Sequence, residues 1–198
     1  SWALVTGATA GIGESFTRLL AQNGYNLILV ARDLPRLQER ASALEARFNI
    51  LTKTIQADLS TDAGCKSIED FISSNQIEVL INNAGVGITG PIEEIPEEEI
   101  KNNFETNFFG PINVIKAALP EMRKQHSGLI INITSIAGYM GLPYRGIYSA
   151  SKGAFELVTE AFRMELKEFN IKMTNVAPGD FATNIASGRY HAPVKDNS

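Results

Sequence analysis

The chain has 198 residues, 44% of them hydrophobic and 20% charged, with a formal net charge of −4. That length suits one domain, the apolar share rules out global disorder, and the acidic balance excludes a nucleic-acid binder, which needs a basic face. A single cysteine, Cys65, cannot close an internal disulfide, no secretory leader is visible, and no apolar run approaches the roughly 20 residues of a membrane span, so a reducing cytoplasm is the default compartment.

Short runs rich in Val, Ile and Leu predict strands near 2–6, 26–31, 50–56, 78–82, 128–134 and 171–176. Such runs are apolar on both faces, as buried parallel strands are. Helical patterns fall between them, near 11–23, 34–48, 61–74, 97–124 and 147–168. Segment 34–48 is amphipathic, with Leu37, Ala41, Leu44 and Phe48 on one face, Asp33 as its cap and Pro35 in its first turn. The acidic run Glu93 to Glu99 reads as a solvated loop and helix start, where negative charge is favoured. Strict alternation of strand and helix predicts an α/β fold over residues 1–198, a single domain built on a doubly wound parallel sheet with helices on both faces. The chain opens almost inside a strand without a methionine and closes on the polar stretch Lys195 to Ser198, so further residues are expected at both ends.

Thr6 to Gly13 follows the first strand and opens the first helix, the context that turns a glycine pattern into a nucleotide site. Gly7 suits a tight turn, Gly11 lets backbone approach a pyrophosphate at the helix N-terminus, and Gly13 permits close packing of helix on strand. The second strand ends Leu29-Val30-Ala31 without the acid that would hold a ribose 2′-hydroxyl; Arg32 follows, and a guanidinium there pairs with a 2′-phosphate, which favours NADP over NAD. A surface arginine at a strand end is the bland alternative.

Tyr148 and Lys152 stand four apart at the start of the last long helix, and Ser135 ends the fifth strand thirteen residues before Tyr148. Side chains at i and i+4 are neighbours on a helix, so the Lys152 ammonium is expected beside the Tyr148 phenol, favouring phenolate in a group whose ordinary pKa is about 10. A phenol so tuned can give or take the proton that a carbonyl needs when it accepts hydride, while Ser135 can hold the reacting oxygen. The small residues Ser149, Ala150, Ser151 and Gly153 are expected to leave room for a cofactor against the helix. Taken singly, Ser135 also reads as a strand-end cap.

The loop Thr6-Gly7-Ala8-Thr9-Ala10-Gly11-Ile12-Gly13 and the Ser135, Tyr148, Lys152 set resemble the short-chain dehydrogenase/reductase family, and the likeness runs from residue 2 to about 184 with motifs in the family's order. The resemblance implies a Rossmann fold, hydride transfer between NADP(H) and a ketone or secondary alcohol, and cofactor contacts from Gly7, Thr9, Gly11, Ile12, Gly13, Arg32, Tyr148 and Lys152. It further implies that Asp58 and Leu59 meet the adenine, that Asn83, Ala84 and Gly85 of Asn82-Asn83-Ala84-Gly85 lie along the cofactor, and that Pro178, Gly179 and Thr183 close its nicotinamide side. Asn107 would hold a water linking Lys152 to solvent; without the resemblance it reads as a buried amide satisfying backbone. Residues 184–198 would form a substrate lid, a further helix and a seventh strand usual in relatives would follow, and homodimers or homotetramers are implied. His126, His191 and Cys65 show no metal-ligand spacing, so no metal is expected. A catalytically silent NADP-binding regulator of the same fold is the alternative from another class; a nucleotide-sugar epimerase would need a larger C-terminal portion.

Overall fold

The computed structural model describes residues 1–179 and 189–193. Strands β1 (Trp2–Thr6), β2 (Asn26–Ala31), β3 (Thr52–Gln56), β4 (Val79–Asn82), β6 (Gly128–Ile133) and β7 (Ile171–Val176) form one parallel sheet in the order β3-β2-β1-β4-β6-β7. The order reverses on either side of β1, which makes the sheet doubly wound and opens a crevice at the carboxyl ends of β1 and β4. The connecting helices are α1 (Gly11–Gln22), α2 (Leu34–Phe48), α3 (Asp62–Ser73), α4 (Glu97–Phe104), α5 (Gly110–Gln125) and α6 (Gly146–Glu165).

Side-chain alternation along the strands feeds two cores. Ala3, Val5, Leu27, Leu29 and Ile81 pack against Leu20, Leu37, Ala41 and Leu44 of α1 and α2. Leu4, Ile28, Leu80 and Ile130 pack on the other face against Ile68, Ile72, Val114, Ile115, Met122 and Phe155 of α3, α5 and α6. Each fully buried Leu or Ile contributes roughly 1.5–3 kcal/mol, so the two cores hold the helices to the sheet. The edge strand β3 is the exception to the expected all-apolar pattern: Thr52-Lys53-Thr54-Ile55-Gln56 is only partly buried, as an edge allows.

The expected α2 cap is present, with the Asp33 carboxylate accepting from Arg36 N at 3.1 Å. Two elements differ from the sequence reading. The helix expected over 97–124 is interrupted by a π-helical turn, Glu105–Phe109, between α4 and α5. Two strands too short for any periodicity, β5 (Ile88–Thr89) and β8 (Tyr190–His191), pair in parallel beyond the ends of β4 and β7, so part of the segment assigned to a lid is a strand. His126 ends α5 in the left-handed conformation, φ 48°.

Candidate active site

The crevice at the strand ends is a cleft of about 800 Å³ that runs from Arg32 past the glycine loop to Tyr148 and Arg189. At one end, Gly7 turns the chain at φ 62° and Gly11 at φ 57°. Gly13 has no room for a side chain, because an added Cβ would lie 2.1 Å from Gly7 O. Helix α1 begins with Ala10 in the capping position and no side chain satisfying its first amides, which leaves those amides for an anion. Thr6 Oγ1 accepts from both Asn83 N and Ala84 N at 3.0 Å, and Asn83 Nδ2 donates to Gly7 O at 3.0 Å, so the strand β4 end braces the glycine loop. These backbone donors and the absence of side chains fit a dinucleotide diphosphate.

Arg32 lines the cleft beside Asp33, Arg36, Asp58 and Leu59. Asp33 spends its carboxylate on the α2 cap, and Asp58 Oδ1 accepts from Ser60 N at 2.9 Å and Ser60 Oγ at 2.7 Å. Two guanidiniums therefore face this end while its nearest carboxylates are engaged, a charge balance that fits a ribose phosphate. Arg36 carries no motif in the sequence and emerges only because α2 starts directly after Arg32.

Ser135, Tyr148 and Lys152 all line the far end. Ser135 ends β6 and caps a 3₁₀ turn (Ile136–Tyr139), its Oγ accepting from Ala137 N at 3.2 Å, which leaves its hydroxyl proton free to point elsewhere. Tyr148 and Lys152 are 5% and 4% exposed. The Lys152 Nζ donates to Ile133 O at 3.2 Å and lies 6.0 Å from the Tyr148 ring centroid, on the same side of α6. Burial draws the Lys152 ammonium down from 10.5 to about 8, so its charge is less fixed than the spacing alone implies.

The small residues of α6 do a different job from the one expected. Neither Ser149, Ser151 nor Gly153 lines the cleft. An added Cβ at Gly153 would lie 2.8 Å from Gly138 O, and one at Gly138 would lie 3.0 Å from Gly153 N, so α6 docks backbone to backbone on the turn that follows Ser135. That contact fixes Ser135 relative to Tyr148 and Lys152. A buried amide chain adds to it: Asn82 Nδ2 donates to Asn132 Oδ1 and Asn132 Nδ2 to Thr159 Oγ1, each at 2.9 Å.

Asn107 is fully buried behind the cleft, in the π-helical turn. Its amide is turned to Val86, Asn103 and Ser151, not into the cavity. An added Cβ at Gly85 would lie 3.1 Å from Lys152 Nζ and 3.3 Å from Asn107 Oδ1, so the two groups approach Gly85 together. Ala84, Gly85, Pro178 and Gly179 line the cleft as expected; Thr183 lies outside the described residues. Sequence reasoning missed Val86, Thr106, Thr134, Arg145 and Arg189, which belong to no short pattern. Cys65 is a half-buried thiol bonded to Leu59 O at 3.5 Å, and burial pushes it up from its ordinary value.

A doubly wound parallel sheet with a glycine loop at its crossover and a Ser/Tyr/Lys set facing the same cleft defines a dinucleotide-dependent oxidoreductase fold. The chain belongs to the short chain dehydrogenase family, which it matches over residues 1–193. It is 40% identical over 187 residues to a 3-ketodihydrosphingosine reductase of Bacteroides thetaiotaomicron, covering 94% of this chain and 66% of that protein. It is 38% identical over 176 residues to a very-long-chain 3-oxoacyl-CoA reductase of Coccidioides immitis, covering 86% of this chain and 50% of that protein. The chain thus spans two thirds or less of the length of these curated relatives. Among solved structures, a short-chain dehydrogenase from Sphingobium yanoikuyae in complex with NADPH superposes with a TM-score of 0.90 at 30% identity, covering 93% of this chain and 72% of that one.

Proposed function

We propose that this chain carries an NADP-preferring reductase site that interconverts a ketone and a secondary alcohol. The observation that carries the reading is the convergence of Ser135, Tyr148 and Lys152 on one end of a cleft whose other end holds the glycine loop and Arg32. Gly7, Thr9, Gly11, Ile12, Asn83, Ala84 and Gly85 would hold the dinucleotide along the floor, with Gly13 packing α1 close beneath it. Asp58 and Leu59 flank the adenine end, Arg32 and Arg36 the ribose phosphate, and Pro178 and Gly179 the nicotinamide end. The NADPH bound by the structural relative supports the same ligand here.

Gly85, Pro178 and Gly179 would hold the reduced nicotinamide at this end, where it would supply hydride to a carbonyl carbon. Tyr148 gives its phenolic proton to the oxygen that becomes the alcohol. Ser135 donates a hydrogen bond to that oxygen and orients it. Lys152 supplies positive charge near the phenol and a donor for ribose hydroxyls. Asn107 positions the floor by clamping Val86. In the oxidative direction the same groups act in reverse.

No helix among the described residues is long and apolar enough to cross a membrane. Two copies of the chain would meet through α6, where Leu157 and Met164, one heptad apart on the same stripe, are 67% and 74% exposed. A single cysteine favours a reducing compartment, the cytoplasm. The test is an NADPH-oxidation assay against a panel of ketones with NADH in parallel; turnover with NADPH above NADH supports the reading, and NADPH binding without turnover on any ketone would replace it with a silent cofactor-binding protein.

A further inference from the structure

The charged groups along the cleft are not evenly spread. Its two carboxylates, Asp33 and Asp58, both lie at the Arg32 end. At the other end the titratable lining residues are Tyr148, Lys152, Arg145 and Arg189, three cations and a phenol.

Arg189 is built into that end by its backbone. Tyr190 N donates to Gly87 O at 3.2 Å and Ala192 N to Thr89 O at 2.9 Å, which pins β8 to β5 just after Arg189. The stem of Arg189 lies on the buried Gly87, where an added Cβ would be 3.0 Å from its Nε and 3.1 Å from its Cγ. Its Nε is buried with no hydrogen-bond partner, and its guanidinium makes no ion pair or hydrogen bond with any described residue. A partly buried guanidinium with no counter-charge among the described residues attracts an anion that enters the same space. Arg145 lines the same cleft, its guanidinium carbon 5.1 Å from the Tyr148 ring centroid. The residue before it, Tyr144, holds a left-handed backbone at φ 63° while its carbonyl accepts from Gly90 N at 2.8 Å. The left-handed turn thus ties the Arg145 loop to the residue after β5, the strand that pairs with β8 next to Arg189.

Resting on the reductase reading, we infer that Arg189, which lines the cleft together with Arg145 and Tyr148, forms an oxyanion subsite, so that the preferred carbonyl substrate carries a carboxylate or phosphate. The diphosphate of the dinucleotide has its own donors at the N-terminus of α1, and the ribose phosphate has Arg32, which leaves Arg189 for the substrate.

The experiment compares matched pairs on the full chain with saturating NADPH: levulinate and its longer homologues against their methyl esters, and a hydroxyketone phosphate against the free hydroxyketone. The anionic member of at least one pair should be preferred in kcat/KM by about ten- to hundredfold, the worth of a charge-assisted bond. The pair with the larger ratio identifies carboxylate or phosphate as the source. Arg189→Met should bring the ratio near one, and Arg189→Lys should keep part of it. A ratio near one in the unaltered protein, a ratio unmoved by Arg189→Met, or a rise in KM for NADPH equal to the rise for the anion would overturn the subsite. Calorimetric titration of levulinate into NADPH-loaded protein separates the two readings if no ketone turns over. Binding that Arg189→Met removes would then uphold the subsite and sink the reductase; no binding would sink the subsite as well.

Discussion

Asn107 holds both backbone polar atoms of Val86: its Oδ1 accepts from Val86 N and its Nδ2 donates to Val86 O, each at 2.9 Å. Asn103 Nδ2 reaches the same carbonyl at 3.1 Å, and Ser151 Oγ ties the pair to α6 with a bond to Asn103 Oδ1 at 2.9 Å. The π-helical turn aims Asn107 at Val86, so the irregularity in the helix has a local cause. The floor of the cleft is thereby clamped to the two helices behind it.

Asn107→Ala removes both bonds; Asn103 still serves the Val86 carbonyl, but the part-buried Val86 amide loses its partner. The expected loss is about 1–3 kcal/mol of stability, measurable by urea unfolding, with kcat falling more than NADPH affinity because Gly85 and Val86 drift relative to Lys152.

Lys152 carries a pH signature. Its folded pKa, about 8, lies below the 10.5 of the unfolded chain, so the unfolded state binds the proton more tightly. Protonation therefore opposes folding: the cost is absent above pH 10.5, grows as pH falls towards 8, and is complete below that. Set against Lys152→Met, stability should drop by about 3 kcal/mol over that window and stay level at lower pH, a comparison read by denaturant unfolding. The ammonium fraction also declines as pH rises through about 8, and reductase activity should decline with it.

Gly153→Ala places a methyl 2.8 Å from Gly138 O, a backbone atom that cannot swing aside. The helix must move off the turn that follows Ser135. We expect about 1–3 kcal/mol of destabilisation and a loss of kcat with little change in KM for NADPH, since the glycine loop lies at the other end of the cleft.

Much of the fold and most of the cleft were legible in the sequence because their signals are periodic or obligatory. Buried parallel strands must be apolar, and Gly13 must be glycine where Gly7 O stands in the way of any Cβ. What escaped has no periodic signature. Strands of two residues, such as β5 and β8, show no pattern, and the π-helical turn hides in Glu105-Thr106-Asn107-Phe108-Phe109 because its apolar spacing still reads as helix. The spacing that put Tyr148 and Lys152 on one face could not say which neighbour Gly153 meets, so its packing against Gly138 was mistaken for room beside a cofactor. Arg36, Arg145 and Arg189 reach the cleft through tertiary folding alone.

Arg32 and Arg36 should act as a pair. Arg32→Ala is expected to raise KM for NADPH about tenfold while leaving KM for NADH nearly unchanged, and adding Arg36→Ala should extend the effect. Because Arg32 is exposed, raising the salt concentration should shrink the difference, which steady-state kinetics with both dinucleotides would register.

The most direct test is Tyr148→Phe. The variant keeps the ring and lacks only the hydroxyl that carries the proton to be transferred. Full retention of NADPH binding, read by quenching or calorimetry, with carbonyl reduction down at least a thousandfold (about 4 kcal/mol of barrier) is the predicted result. Reduction at an undiminished rate in Tyr148→Phe would contradict the assignment of this cleft's chemistry to its phenol.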